Sequence, residues 1–154
     1  MLKILIGIDG SESSKKAVNE IGDRLAPLEL NITLVHVLKE TNISIDDSTG
    51  KPNEDADSVS PRKIKQLREH NKLKEEAKEL LNETELLLQE KGLEAEKVLL
   101  QGDAADEICK FADENDIDLI VLGNRGVGGI KKFLLGSTSE KVLNNAERSV
   151  CVIK

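Results

Sequence analysis

Five short aliphatic runs separated by four helical stretches constrain this chain more than any other feature. Residues 2–8 (LKILIGI) are apolar at successive positions and stop at Asp9-Gly10-Ser11, as a buried strand does when it ends in a turn. Residues 31–38 are rich in β-branched side chains and make a second strand, and residues 93–100, 118–122 and 149–153 make a third, fourth and fifth. The intervening helices are expected to start at Ser13, at Ser60 followed by Pro61, at Asp103 and at Ser137. They run to about Leu25, Lys91, Asn115 and Ala146, with Pro27 closing the first and Gly92 the second. Strands joined through helices of this length form right-handed parallel crossovers, so the fold class is α/β, a doubly wound five-stranded parallel sheet with helices on both faces.

The second helix has two characters. Ile64, Leu67, Ala77, Leu80, Leu81, Thr84, Leu87 and Leu88 recur at three- and four-residue steps, which predicts one buried face along its whole length. Arg62, Lys63, Lys65, Arg68, Lys72 and Lys74 crowd its start and Glu83, Glu85 and Glu90 its end, the reverse of what the helix dipole favours. A solvated face with internal ion pairs accounts for this. Residues 40–60, with Gly50, Pro52 and many Asp and Ser but no apolar period, read as a surface loop. On the third helix Ala105, Ile108, Cys109 and Ala112 share a face, which predicts that Cys109 is in the core.

Composition removes several classes of function. A domain of 154 residues buries roughly 70% of the surface its unfolded chain exposes, so residues 1–154 are expected to form one domain without disulfide or metal staples. There are two Phe and neither Tyr nor Trp, which leaves no aromatic platform for stacking bases. Lys and Arg number 22 against 29 for Asp and Glu, and the resulting charge of -7 repels nucleic acid and anionic membranes. No stretch of 18 apolar residues could span a bilayer, and Met1 leads straight into the first strand, so the expected location is the cytoplasm. Cys109 and Cys151 form no metal-ligand spacing and are read as reduced thiols. His36, between two valines on a strand, reads as a satisfied core histidine.

In a doubly wound sheet, ligands sit beyond the carboxyl ends of the strands, where strand order reverses. Two orders are common; if it is 3-2-1-4-5, the crevice lies between strands one and four, flanked by Asp9 and Gly123. Residues 123–139 leave strand four and end in the last helix, and they carry Gly123, Gly126, Gly128, Gly129 and Gly136. Where no Cβ intervenes, backbone N–H groups can approach phosphate oxygens, and a helix N-terminus adds free donors and partial positive charge. Ser137, Thr138 and Ser139 add hydroxyls there, and Arg125, Lys131 and Lys132 add charge.

The loop departs from the Walker A pattern, which needs Lys where Gly129 stands, and from the dinucleotide fingerprint, whose third glycine falls on Lys131. It fits a different spacing: Gly123, two residues, Gly126, nine residues, Gly136, then Ser137.

With ILIGIDGSESS at the start, VHV in strand two, the QGDAADEI turn, DLIVLGNRG and GSTSEKVLNNAERSVCVIK, the chain resembles a single-domain universal stress protein. The resemblance implies strand order 3-2-1-4-5, and the glycine spacing implies the family's ATP-binding branch. It places Ile8, Asp9 and Val37 around the adenosine moiety, with the Val37 backbone reading the base. Gly123, Gly126, Gly136 and Ser137 follow along the phosphates, and Leu122, Arg125, Thr138 and Ser139 complete the expected nucleotide-binding set. ATP, ADP or AMP is the implied ligand, with Mg²⁺ held by the nucleotide's own phosphates and by no protein side chain.

The implied role is a nucleotide-dependent regulatory or stress-response module, a homodimer through the C-terminal strand. Two other roles stay open: a slow ATPase or autokinase acting on Ser137, Thr138 or Ser139, and a dimerising scaffold whose nucleotide is structural. The family commonly carries Pro ahead of its last strand, where this chain has Glu147-Arg148-Ser149. Each site residue also has a structural reading. Ser137 with Glu140 is a capping box, Asp9 can cap its own turn, and the glycines can serve backbone shape.

Overall fold

Every strand reaches the next through a helix, and the computed structural model, which describes residues 1–26, 28–40, 60–124 and 135–154, shows how the crossovers are laid out. The elements are β1 (Leu2–Gly7), α1 (Glu12–Leu25), β2 (Leu30–Leu38), α2 (Pro61–Gln89), β3 (Ala95–Gln101), α3 (Ala104–Glu114), β4 (Leu119–Gly123), α4 (Ser137–Asn145) and β5 (Ser149–Ile153). All strand pairs are parallel, and the order is β3-β2-β1-β4-β5. The expected α/β class and strand order are both present.

The central strands are apolar on both faces because both faces are covered. Ile4 and Ile6 of β1, with Ile32 and Leu34 of β2, pack under Ala17, Val18 and Ile21 of α1 and Leu81 and Leu88 of α2. Leu5, Val35, Ile120 and Leu122 face the other way, onto Ala105, Ile108 and Ala112 of α3 and Val142 of α4. Strand order reverses at β1, whose neighbours β2 and β4 leave it in opposite directions along the chain.

Several local expectations shift. The cap of α1 is Ser11, whose side chain accepts from the Ser14 amide, and Ser13 lies inside the first turn. Ser60 and Asp103 cap α2 and α3 as their sequences predict. The buried face of α2 covers only its second half, at Ala77, Leu81, Thr84 and Leu88, whereas Ile64 and Leu67 are 39% and 40% exposed. Length explains this: 29 residues of helix span about 44 Å, and the nine residues of β2 span about 30 Å, so the start of α2 outruns the sheet. Some of the α2 charges pair along the helix, Lys72 with Glu76 and Lys78 with Glu75, and Glu85 pairs with Lys97 of β3.

Cys109 shares the face of α3 that packs on the core, but it is half-buried at the edge of the cluster formed by Ala105, Ile108 and Ala112 and not inside it. Burial, reinforced by Asp113 and Asp106, pushes its thiol above the ordinary range. Residues 41–59, read as a surface loop, lie outside the described residues, as does Pro27.

Candidate functional site

At the carboxyl end of β1 the backbone must leave the sheet, and the residue types there do it. Gly10 adopts φ 82°, the left-handed conformation that a side chain disfavours, and the Asp9 carboxylate accepts the Ser11 amide at 2.9 Å to close the turn. The chain then enters α1. β4 ends beside it at Gly123, where an added Cβ would lie 2.6 Å from the backbone carbon of Ser13. Gly123 is therefore required for the first turn of α1 to cross the end of β4, a packing role separate from any ligand. Ser13 Oγ donates to Asn124 Oδ1 at 2.7 Å and ties the two elements together.

The gap between these chain ends opens into a cleft. Ile8 and Asp9 after β1, Val37 of β2, and Leu122 and Gly123 of β4 line it, and Gly136, Ser137, Thr138 and Ser139 approach from the start of α4. Arg125 and Gly126, expected along the same cleft, lie outside the described residues, as do Gly128, Gly129, Lys131 and Lys132. Sequence reasoning misses the floor, Ala104 and Ile108 of α3, and also Val35 and His36 of β2. The QGDAADEI turn holds the signal for the floor, since it places the start of α3 at the same sheet edge. The described residues enclose about 110 Å³, less than the 300–1,000 Å³ common for small-molecule pockets.

The start of α4 differs from the expected capping box. Its N-cap is Gly136, with φ -61° and ψ 149°, and no side chain among the described residues caps the first turn. Ser137 is the first helical residue, so its hydroxyl is not in the capping position. Neither Ser137 nor Thr138 side chain hydrogen-bonds to a described residue. Ser139 is buried, and its hydroxyl donates to the Gly123 carbonyl at 2.7 Å, which fixes α4 to the end of β4.

Lys141 braces the same helix against α3 through Asp103 and Asp106, both at 2.9 Å. The hydrogen bond from Lys141, then that from the Asp106 amide, holds the Asp103 carboxyl below its ordinary range, and the two carboxylates raise Lys141 in turn. No group of three metal-ligating side chains occurs among the described residues.

The family model for the universal stress protein family matches residues 1–154. The chain belongs to that family. Universal stress protein YxiE of Bacillus subtilis is 31% identical over 152 residues, covering 99% of this chain and 98% of the relative. The solved structure of MJ0577, a universal stress protein of Methanocaldococcus jannaschii, superposes with a TM-score of 0.79 at 26% identity, over 99% of this chain and 94% of that one. A family protein from Arabidopsis thaliana, solved with AMP bound, shares the fold at a TM-score of 0.67 and 22% identity, over 100% and 92% of the two chains.

Arg148 stands ahead of the last strand, where the resemblance implies a proline. Its guanidinium donates to Asp113 Oδ1 at 3.0 Å and to the Asp113 carbonyl at 3.2 Å. The departure leaves the last strand in register, with Ser149 to Ile153 of β5 paired along Leu119 to Gly123 of β4. No helix among the described residues is long and apolar enough to cross a membrane.

Proposed function

We propose that this universal stress protein binds an adenine nucleotide, ATP, ADP or AMP, in the cleft between β1 and β4, and that occupancy of the cleft is what it signals. The observation that carries the reading is the N-terminus of α4, a helix start at the cleft with glycine as its cap and no described side chain capping its amides. Those amides, together with the Ser137 and Thr138 hydroxyls, suit phosphate oxygens. Asp9 and the Val37 backbone fit the adenosine end, with Ile8 and Leu122 beside them. Gly126 and Arg125 complete the phosphate loop in this reading, and Mg²⁺ enters on the nucleotide's phosphates and waters. The AMP bound to the Arabidopsis relative is consistent with the ligand class. A cytoplasmic homodimer joined through β5 completes the proposal.

Binding is favoured over turnover by the state of Asp9. It is the one carboxylate lining the described part of the cleft, and its Oδ1 already accepts the Ser11 amide. Isothermal titration with ATP, ADP and AMP, with and without Mg²⁺, tests the reading: saturable one-site binding is expected, and no heat at millimolar nucleotide would overturn it.

A further inference from the structure

We propose that His36 is a positioning residue that keeps the Val37 backbone open to a base by occupying the carbonyl that would otherwise close over it. The inference rests on the nucleotide reading for its ligand, but its geometry is independent of any ligand.

Along β2, backbone groups alternate between the two neighbouring strands. The carbonyl of Val35 accepts from Ile8 at 2.9 Å, so Val35 points toward β1; the carbonyl of Leu38 accepts from Gly102 at 2.8 Å, so the even positions point toward β3. Val37 is therefore turned to the β1 side. One more rung of a parallel ladder would run from the Val37 N–H to the carbonyl of Ile8, since Ile8 already donates to Val35. That rung is not formed: no backbone N–H meets the Ile8 carbonyl among the described residues. His36 Nδ1 lies 2.7 Å from that oxygen instead.

A carbonyl oxygen only accepts, so Nδ1 carries the proton, and the bond survives whether or not the ring is charged. The imidazole thus does two things. It satisfies the Ile8 carbonyl just beyond β1, which sits at the cleft wall and is costly to leave unpaired. It also leaves the Val37 N–H and C=O, a donor and an acceptor on one residue, facing the place where β1 has turned away. A planar base with an adjacent acceptor and donor on its edge matches that pair, whereas a bare phosphate chain does not use it.

The test reads the Val37 amide directly. In ligand-free, ¹⁵N-labelled protein, the Val37 amide should exchange with deuterium at least tenfold faster than the Val35 amide. In His36→Leu the Ile8 carbonyl is released, the missing rung closes, and Val37 exchange should slow at least tenfold. ATP affinity should fall at least tenfold in the same variant while affinity for tripolyphosphate is unchanged. His36→Asn, whose side-chain amide can donate from about the position of Nδ1, should restore both properties.

Val37 exchange equal to that of Val35 in the wild type, or a folded His36→Leu with wild-type exchange and wild-type ATP affinity, overturns the proposal. If His36→Leu does not fold, the wild-type exchange comparison and the Asn variant decide it. A wild-type protein that binds no ATP removes the nucleotide reading while the exchange result still judges His36.

Discussion

α3 and α4 both start at the carboxyl edge of the sheet, with nearly the same backbone at the cap position, φ -75° and ψ 125° at Asp103 and φ -61° and ψ 149° at Gly136. They differ in what completes the first turn. Asp103 bends its own carboxylate onto the Asp106 amide at 3.1 Å and also holds Lys141. Gly136 has no side chain to offer, and no described side chain caps the α4 amides, although Glu140 lies in the first turn. A helix serving only the fold supplies its own negative end, and one that receives an anionic ligand does better without it.

The comparison breaks most directly by giving α4 the cap of α3. Gly136→Asp is compatible with the existing backbone and should weaken ATP binding at least about 100-fold, about 2.7 kcal/mol, while thermal stability stays level or rises. Titration calorimetry and a melting curve measure both; retained affinity would mean that the phosphates lie elsewhere. Next in size is Gly123→Ala, which sets a methyl group against the Ser13 backbone and should cost about 2 kcal/mol in urea unfolding.

Neighbouring serines on α4 should then separate fold from ligand. Ser139→Ala leaves the Gly123 carbonyl without its buried donor and should cost about 1 kcal/mol of stability. Ser137→Ala should leave stability unchanged and lower nucleotide affinity about fivefold, close to 1 kcal/mol.

The smallest effect belongs to the capped helix. Asp103→Asn removes the carboxylate charge that Lys141 pairs with and should melt a few degrees lower at pH 7 without altering nucleotide affinity. Because the Asp103 carboxyl is lowered in the folded protein, its contribution is complete above its ordinary value of 3.8 and disappears as pH falls through the lower folded value. The difference in melting temperature between wild type and variant should therefore shrink toward zero below pH 3.8. A difference that persists in acid would assign the effect to packing.

Much of the fold is legible in the amino-acid sequence because its signals are strong in each segment. The buried runs Ile4-Leu5-Ile6 and Ile120-Val121-Leu122 are apolar on both faces, as interior parallel strands must be, and Ser60 and Asp103 announce their helices. The strand order comes from the family resemblance, since periodicity alone does not choose between the common windings.

Where sequence and structure part, the causes are local. Ser11, Ser13 and Ser14 are three hydroxyls within four positions, and only the turn closed by Asp9 decides that Ser11 is the cap. A glycine cap carries no side chain to signal it, so Ser137 takes on the look of a cap that Gly136 in fact provides. The front of α2 has the apolar period of a buried helix, but periodicity says nothing about whether a partner extends far enough to cover it. His36 is satisfied, as its place between two valines predicts, but it is half-buried at the cleft and not in the core. That its partner is a carbonyl at the cleft wall depends on where β1 leaves the sheet, which no local pattern encodes.

The reversal of strand order at β1 also governs when the cleft can exist. β1 meets β4 across 115 positions of sequence, with the Lys3 amide donating to the Asp118 carboxylate at 2.8 Å. The proposed binding groups are divided across that span, Asp9 and Val37 in the first quarter of the chain and Ser137 near its end. Such long-range closure is slow and comes late in folding. During synthesis from the N-terminus, β1 and β2 can pair early, yet the α4 side of the cleft follows only after β3, α3 and β4 have emerged. Competence to bind would thus wait on α4, and a chain without it would present only the β1 and β2 side of the site.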